Sequence, residues 1–397
     1  MLVVMLVAAK IVGALAQRIG QPAVLGELVG GIVVGKSVLG LVDPHAETIH
    51  MLSELGVAIL LLAIGLETDL RAMMRVGATS LAVAVVGVVL PFGLGYAACL
   101  LLGLDELTSI MAGATLTATS VGITARVLSD LGRLRDVEGQ IIIGAAVIDD
   151  VLGLVILTVV GGMIGGGTLS VGAVAWTTAS AFGFLAVTLV VGGLATPWVV
   201  RLADKIDLPG TPTIFALTLA LGLAWLAEKS GSALIIGAFV AGVLLARTSR
   251  AHEIEKGVTS LGHFFVPLFF VAVGASVDLT ALNPTTADGR WALTAGTALI
   301  VCGVVGKVAA GYAPFWFRGD KRVIGVGMIP RGEVGLIFAQ MGLTRGVFDA
   351  GMFGGVTLMV VVTTFLAPPL LKALLTRNDG QEPEEDGDGI GGLVTEA

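Results

Sequence analysis

Apolar residues along this chain form long continuous blocks, and short polar or charged segments separate the blocks. Most blocks approach the ~20 residues that an α-helix needs to cross the hydrocarbon core of a bilayer. Continuous blocks exclude a transmembrane β-barrel, whose strands alternate apolar and polar residues. We therefore predict an all-α polytopic membrane protein of about 13 transmembrane helices. The predicted crossings are 1–17, 22–41, 49–66, 76–102, 108–130, 139–164, 172–200, 211–228, 231–247, 257–277, 291–316, 320–343 and 351–376.

Composition supports this class and locates the net charge. The 397 residues are 55% hydrophobic and only 13% charged, whereas a soluble domain carries roughly 25% charged residues. The first block, up to Ala16, has no basic start or small-residue cleavage site, so we expect a membrane helix rather than a signal peptide. The formal charge of −7 originates in the Gly-rich segment 378–397, which we predict to be a disordered acidic cytoplasmic tail.

Basic residues in the loops predict the orientation of the helices. The odd-numbered loops hold thirteen Lys and Arg residues, whereas the even-numbered loops hold only Lys229, Arg290 and Arg345, or four with Lys36. Lys and Arg concentrate in cytoplasmic loops. This bias predicts that the N-terminus lies outside and that the C-terminus lies in the cytoplasm.

An internal repeat relates the two halves of the chain. The matching segments are Leu25–Gly31 with Ile236–Gly242, Ile64–Leu70 with Val273–Leu279, and Ser120–Ile123 with Glu333–Leu336, at offsets of 211, 209 and 213 residues. The repeats are predicted to start at the second and ninth crossings, joined by the helix 172–200. They then have opposite topologies, and inverted repeats are typical of secondary transporters, whose sites lie at the bilayer midplane between interrupted helices.

Two corresponding crossings carry polar residues near their middles, at Thr115–Ser120 and Met328–Glu333. Pro330 removes a backbone donor from the second crossing, so we expect that helix to break there. Broken ends present uncompensated N–H and C=O groups inside the membrane, and Arg331 and Glu333 are suited to neutralise them. The alternative is an ordinary Ser/Thr-rich packing face with a proline kink.

A pair of adjacent carboxylates, Asp149 and Asp150, lies within an otherwise uncharged apolar block, and Lys307 lies in another. Such residues are rare at membrane depth, and they mark ion or proton pathways. Successive helical residues project about 100° apart, so one Asp can pair with Lys307 while the other faces a cavity. A cation and protons would then compete for the carboxylates. The alternative is a structural ion-pair network that locks two helices.

Other charged residues receive weaker predictions. Glu27 has no charged counterpart at Ala238 and is predicted to be an interface or packing carboxylate. Arg126 is placed toward the cytoplasmic end of its helix, in a solvated or gating position. The sequence contains no phosphate-binding loop, dinucleotide fingerprint or serine elbow in context, so we predict a protein that is not an enzyme, uses no cofactor and binds no nucleic acid.

Several motifs resemble the monovalent cation:proton antiporter-2 family. The stretches that carry the resemblance are Gly113–Leu128, Gly144–Leu154, Gly306–Lys307 and Met328–Leu336, with Gln21–Pro22 and Gly26–Glu27. Within the family, the similarity is greatest to bacterial Na⁺/H⁺ antiporters of the NapA type, and it covers residues 1–376. The Asp-Asp pair is the most specific motif, since many K⁺-linked and electroneutral relatives replace its first Asp.

The resemblance implies an NhaA/NapA-like fold and a homodimer in the bacterial inner membrane. A core ion-transport domain of 76–164 and 291–376 would move against a dimerisation domain of 1–66 and 211–277, with 172–200 as the linker. The implied mechanism is electrogenic alternating access of the elevator type, with Na⁺ or Li⁺ exchanged for more than one proton.

The resemblance also implies roles for individual residues. Asp150 would be the main cation ligand, and Asp149 the partner of Lys307. Thr117, Thr119, Ser120 and Glu333 would line or balance the helix crossing. Three alternatives stay open: a K⁺/H⁺ antiporter on the same scaffold, a Na⁺-coupled organic-anion symporter, against which Lys307 argues, and a gated channel.

Overall fold

The computed structural model describes residues 1–44, 46–164, 171–203, 210–230, 233–277 and 279–379. Over these residues the chain forms sixteen α-helices and one short 3₁₀ helix, Leu279–Leu282. The helices are Leu2–Arg18 (α1), Ala23–Val34 (α2), Glu47–Glu67 (α3), Leu70–Arg75 (α4), Gly77–Leu101 (α5), Glu106–Thr115 (α6), Val121–Asp130 (α7), Val137–Ile164 (α8), Val171–Ala203 (α9), Thr211–Lys229 (α10), Leu234–Leu245 (α11), Ala251–Ala275 (α12), Ala287–Ala310 (α13), Lys321–Gly327 (α14), Glu333–Thr344 (α15) and Ala350–Asp379 (α16). Most of the predicted acidic tail lies outside the described residues.

Eight helices in the described part of the chain are long and apolar enough to span a bilayer: α3, α5, α8, α9, α10, α12, α13 and α16. The chain is thus an all-helical, multi-pass membrane protein, as the apolar blocks predict. The total number of crossings and their direction stay predictions.

Helices α2 and α11 are shorter than the predicted crossings 22–41 and 231–247. Each has 12 residues, which corresponds to about 18 Å, well below the ~30 Å of the hydrocarbon core. Helix α2 ends at Val34, and the next residue, Gly35, has an extended backbone and lies against α12, where a Cβ would be 2.7 Å from Ala275 Cα. The apolar sequence continues past this stop, so the hydrophobic pattern alone overestimated the helix.

The helices pack into two groups. The flanking group contains α1, α2, α3, α10, α11 and α12, and the crossing group contains α4 to α8 and α13 to α16. Helix α9 contacts α8 in the crossing group and α10 and α11 in the flanking group. Helices α2 and α3 also pack against α7, which joins the two groups directly.

Repeat-related glycines build the flanking group. A Cβ on Gly31 of α2 would collide with the carbonyl oxygen of Val271 in α12, and one on Gly242 of α11 would collide with that of Leu62 in α3. The two contacts are related by the sequence repeat. Because glycine lets backbones approach closely, these crossings depend on it.

The repeat starts one helix earlier than the sequence matches predict. A Cβ on Gly26 would collide with the Val12 carbonyl oxygen of α1, and one on Gly237 would collide with the Leu223 carbonyl oxygen of α10. Val12 and Leu223 are themselves 211 residues apart. Helices α1 and α10 therefore belong to the repeats, although their sequences carry no visible match.

Replacing Gly274 with Ala is expected to lower the thermal stability. A Cβ at Gly274 would overlap the Leu28 carbonyl oxygen, and overpacking of this kind costs about 1–3 kcal/mol. Gly222→Ala is the matched control, because a Cβ there meets no atom within 4 Å. Melting of both variants in the same detergent checks the prediction, and equal melting temperatures would contradict it.

Candidate functional site

Two interrupted helices meet inside the crossing group. Helix α6 ends at Thr115 and α7 begins at Val121, while α14 ends at Gly327 and α15 begins at Glu333. The close approach of the two interruptions depends on Gly332, because a Cβ on this residue would lie only 2.7 Å from Ser120 Oγ. The predicted interruptions are therefore adjacent in space.

Hydrogen bonds between the interruptions satisfy several backbone groups that a continuous helix would pair internally. Ser120 N donates to Pro330 O at 2.8 Å, and Thr119 Oγ1 donates to Met328 O at 3.2 Å. Thr117 instead donates to the carbonyl of Ala114 in its own chain segment, at 2.8 Å. The hydroxyls thus replace lost helical partners at a depth where water is scarce.

Two further hydroxyls, which the sequence did not single out, complete this bonding. Thr124 Oγ1 donates to Gly327 O at 2.7 Å, and Thr364 Oγ1 of α16 donates to Arg331 O at 2.5 Å. Both lie on unbroken helical segments, so nothing in the local sequence distinguishes them. Of the predicted residue Glu333, only the backbone is described, and it begins α15.

Arg331 is buried at the crossing, with an exposed fraction of 0%. Its Nη1 donates to Ala118 O at 3.0 Å, and this carbonyl follows the end of α6. Within the described part of the chain, its Nε and Nη2 have no hydrogen-bond partner. Gly303 of α13 lies beside the guanidinium, and a Cβ there would be in ordinary contact with Nη2 at 3.8 Å. Arg331 therefore supplies a positive charge near the C-terminal end of α6, where the helix dipole is negative.

Asp149 and Lys307 form an ion pair between α8 and α13. Lys307 Nζ lies 2.9 Å from Asp149 Oδ2, and both side chains have an exposed fraction of 0%. Asp149 Oδ1 has no hydrogen-bond partner among the described residues. A Cβ on Gly87 of α5 would lie 3.3 Å from Lys307 Nζ, so this glycine makes room for the ammonium group.

Asp150 is buried beside the pair, with an exposed fraction of 5%. Gly153, one turn later on α8, faces the crossing: its Cβ would lie 3.6 Å from Ala118 Cβ and 3.9 Å from Val334 Cγ1. At 100° per residue around α8, Asp149 projects to one side of the Gly153 direction and Asp150 to the other. The two carboxylates therefore lie on either side of the face of α8 that packs against the interrupted helices.

Four buried side chains, Asp149, Asp150, Lys307 and Arg331, define the candidate site. Their formal charges cancel when all four are ionised. The described residues hold no cluster of three or more His, Cys, Asp or Glu side chains that could hold a metal ion. The candidate site thus consists of two carboxylates and two cationic groups inside the crossing group.

Asp105 caps α6, the first half of the first interrupted helix. It is the N-cap of α6, and its carboxylate accepts hydrogen bonds from Thr108 N at 3.1 Å and Thr108 Oγ1 at 2.6 Å. These hydrogen bonds hold the pKa of Asp105 below its usual range. The resulting stabilisation is complete above the ordinary carboxyl pKa and is lost as pH falls through the lowered value.

Asp105→Ala is accordingly expected to destabilise the protein at neutral pH by about 1 kcal/mol. In the wild type, acidification through the lowered pKa should remove the charge-dependent part of this stabilisation, whereas the variant should lack that step. Thermal unfolding at several pH values checks both effects. If Asp105→Ala is as stable as the wild type at neutral pH, the capping role of Asp105 is contradicted.

Comparisons with known proteins extend these observations. The family model described as "Sodium/hydrogen exchanger, transmembrane" matches residues 4–377. The chain is 40% identical to the high-affinity Na⁺/H⁺ antiporter NhaS3 of Synechocystis sp., over 97% of this chain and 90% of that protein. It is 34% identical to the Na⁺/H⁺-K⁺ antiporter GerN of Bacillus cereus, over 92% and 93% of the respective chains.

A solved structure shares the fold. The sodium/proton antiporter MjNhaP1 of Methanocaldococcus jannaschii superposes with a TM-score of 0.69. The match covers 96% of this chain and 97% of that chain, at 17% sequence identity. The packing of interrupted helices described above thus occurs on an architecture that is already known.

Proposed function

The chain belongs to the sodium/hydrogen exchanger family, and from that premise we propose that it exchanges Na⁺ or Li⁺ for protons across the bacterial inner membrane. It is a multi-pass membrane protein and a cation/proton antiporter, not an enzyme. The observation that carries the proposed site is the buried Asp149–Lys307 ion pair beside Asp150.

Charge balance in the candidate site gives a physical reason for exchange. With Asp150 protonated, the four side chains carry a net charge of +1, and replacing that proton by a cation leaves the net charge at +1. A net charge is costly in a membrane interior, and loss of a further proton brings the sum to zero. In this account Asp150 is the main cation ligand, and the cation competes with protons for its carboxylate.

Lys307 supplies a second exchangeable proton. A cation near Asp149 and Asp150 weakens the attraction between Asp149 and the ammonium group, because both positive charges then share the same carboxylates. Lys307 can then release its proton as the cation arrives. Exchange of one Na⁺ for more than one proton moves net charge, so the proposed transport is electrogenic.

The helix groups suggest how the site alternates between the two sides. The crossing group carries all four site residues, and it moves as the core domain, 76–164 and 291–376, against the dimerisation domain, 1–66 and 211–277. Segment 172–200 links the two domains, and two copies of the chain form a homodimer. The discrete packing of the two groups supports this elevator-type movement.

Potassium is the alternative cation. GerN, a relative at 34% identity, is named as a Na⁺/H⁺-K⁺ antiporter, whereas NhaS3, at 40% identity, is named for Na⁺ and H⁺ alone. We favour Na⁺ and Li⁺ because both aspartates of the pair are present. The organic-anion symporter loses its support, since the matched family and relatives are antiporters.

Reconstituted protein tests the proposed cation selectivity and electrogenicity. Proteoliposomes with an imposed pH gradient receive Na⁺, Li⁺ or K⁺ while the internal pH is recorded, with the membrane voltage clamped or free. We expect proton movement with Na⁺ and Li⁺ that depends on voltage. A response to K⁺ alone would favour the K⁺/H⁺ alternative, and a voltage-independent response would contradict electrogenic exchange.

A further inference from the structure

An exposed aromatic turn follows α13 in the crossing group. Tyr312, Phe315 and Trp316 have exposed fractions of 50%, 82% and 50%. The rings of Phe315 and Trp316 pack edge to face, with centroids 4.9 Å apart, and Trp316 Nε1 donates to Thr79 Oγ1 of α5 at 3.1 Å. Lys321 Nζ donates to the Phe315 carbonyl at 3.3 Å. The aromatic side chains are therefore held in a defined arrangement while their rings stay open to the surroundings.

The turn lies at the level where the hydrocarbon core of a bilayer meets the lipid headgroups. Helix α13 has 24 residues, which corresponds to about 36 Å, slightly more than the ~30 Å of the hydrocarbon core. Val301 and Val305 of α13 have exposed fractions of 56% and 53%, so one face of this membrane helix is open to lipid. Tyr and Trp side chains are enriched where such a face meets the headgroups.

Helix α5 presents a second apolar stripe beside the first. Leu81, Val85 and Val89, spaced four residues apart, have exposed fractions of 50%, 42% and 63%. Helix α5 packs against α13, and the hydrogen bond from Trp316 to Thr79 joins the end of α13 to the start of α5. Acyl chains of the adjoining leaflet that lie along these stripes have their headgroups at the aromatic turn.

Basic residues lie on both sides of the aromatic turn. Segments 69–75 and 318–322 together hold five Lys and Arg residues and two aspartates. Arg75 and Arg318 are exposed. Arg75 lies four residues before Thr79, and Arg318 lies two residues after Trp316. The hydrogen bond between Trp316 and Thr79 therefore brings both arginines to the same end of the α5–α13 pair.

The carboxylates near these basic residues already have partners. Asp69 caps α4 and Asp320 caps α14, and each accepts hydrogen bonds from backbone N–H groups. Asp320 also pairs with Arg322 at 3.0 Å, and Glu138 Oε1 accepts from Asp320 N at 2.9 Å. With these three carboxylates counted, the five basic residues leave a net charge of +2. This end of the α5–α13 pair therefore attracts anions.

We propose that Arg75, Tyr312, Phe315, Trp316 and Arg318, here called the aromatic–basic patch, bind an anionic phospholipid of the surrounding leaflet. The two guanidinium groups hold the headgroup phosphate, for which their planar fork of donors is suited. The aromatic rings lie at the level of the ester groups, and the acyl chains cover the stripes of α5 and α13. The predicted orientation places the patch at the cytoplasmic leaflet, whose anionic lipids attract basic residues next to membrane helices.

Fluorescence quenching of Trp316 by brominated lipids tests this site without reference to transport. The protein is reconstituted into vesicles of equal parts phosphatidylglycerol and phosphatidylcholine, with bromine on the acyl chains of one lipid or the other. The chain contains five tryptophans, so the difference between wild type and Trp316→Phe isolates the Trp316 signal. The two quenching curves give the binding constant of phosphatidylglycerol relative to phosphatidylcholine at the patch.

The wild type should favour phosphatidylglycerol, and Arg75→Gln with Arg318→Gln should lower its relative binding constant about fivefold or more. This expectation follows from the contribution of about fivefold in affinity that one basic residue makes near an anionic membrane surface. Arg290→Gln is the matched control, because Arg290 is an exposed arginine near the opposite end of α13. It should leave the lipid preference at Trp316 unchanged.

Equal quenching by the two brominated lipids in the wild type would overturn the proposal, as would a preference that the double arginine variant retains. Absence of quenching by either lipid would mean that protein, such as a second copy of the chain, covers the patch, and it would overturn the proposal equally. Inorganic phosphate added to the vesicles should not reduce the preference for phosphatidylglycerol. Its loss would assign the arginines to free phosphate instead of a lipid.

Discussion

Asp150→Asn is expected to reduce cation/proton exchange in proteoliposomes to the level of protein-free vesicles. The amide is nearly the same size as the carboxylate but carries no charge and cannot take up a proton in this range. It can therefore neither balance a bound cation nor exchange that cation for a proton. Because Asp150 is buried beside the Asp149–Lys307 pair, no neighbouring solvent replaces the lost charge.

The matched control for this prediction is Asp136→Asn. Asp136 pairs with Arg133 at 3.1 Å near the surface, with an exposed fraction of 36%, so the same chemical change there should leave exchange intact. Both variants should keep the size-exclusion profile and melting behaviour of a folded protein. Exchange at the wild-type rate in Asp150→Asn would remove Asp150 from the site.

Lys307→Ala is expected to cause the largest loss of stability. Removal of the ammonium group leaves Asp149 as an uncompensated carboxylate at 0% exposure, and breaking a buried pair in this way costs about 3–5 kcal/mol. Thermal unfolding in detergent measures the loss.

The double variant Lys307→Ala with Asp149→Asn separates charge from packing. Because it removes both charges, it should melt at a higher temperature than Lys307→Ala alone. If Lys307→Ala melts at the same temperature as the wild type, the Asp149–Lys307 pair does not stabilise the protein. A double variant no more stable than the single one would assign the loss to the cavity left by the lysine side chain.

The sequence predicted which charged residues are buried better than it predicted their surroundings. Charges at membrane depth are rare and costly, so Asp149, Asp150 and Lys307 were visible without any structure. Pro330 likewise indicated an interruption, because a proline cannot continue the helical hydrogen bonds. Thr124 and Thr364 carried no such signal, since their roles depend on which carbonyls the fold brings near them.

The lengths of helices and their partners were harder to predict. The apolar pattern extended α2 beyond Gly35, because the residues that follow are also apolar and hydropathy does not report where the backbone leaves the helical conformation. The repeat seemed to start at the second and ninth crossings, whereas the glycine contacts place α1 and α10 within it. Glu27 was predicted as an interface or packing carboxylate, and the structure buries it, with an exposed fraction of 5%.

Proton release on cation binding tests the central claim most directly. Detergent-solubilised protein in weakly buffered solution receives Na⁺, and a pH electrode records the protons released while calorimetry records binding. If Na⁺ and protons compete for the aspartate pair, Na⁺ should release protons, more Na⁺ should be needed at lower pH, and Asp150→Asn should abolish the release. Binding of Na⁺ without proton release, or release that persists in Asp150→Asn, would contradict the account.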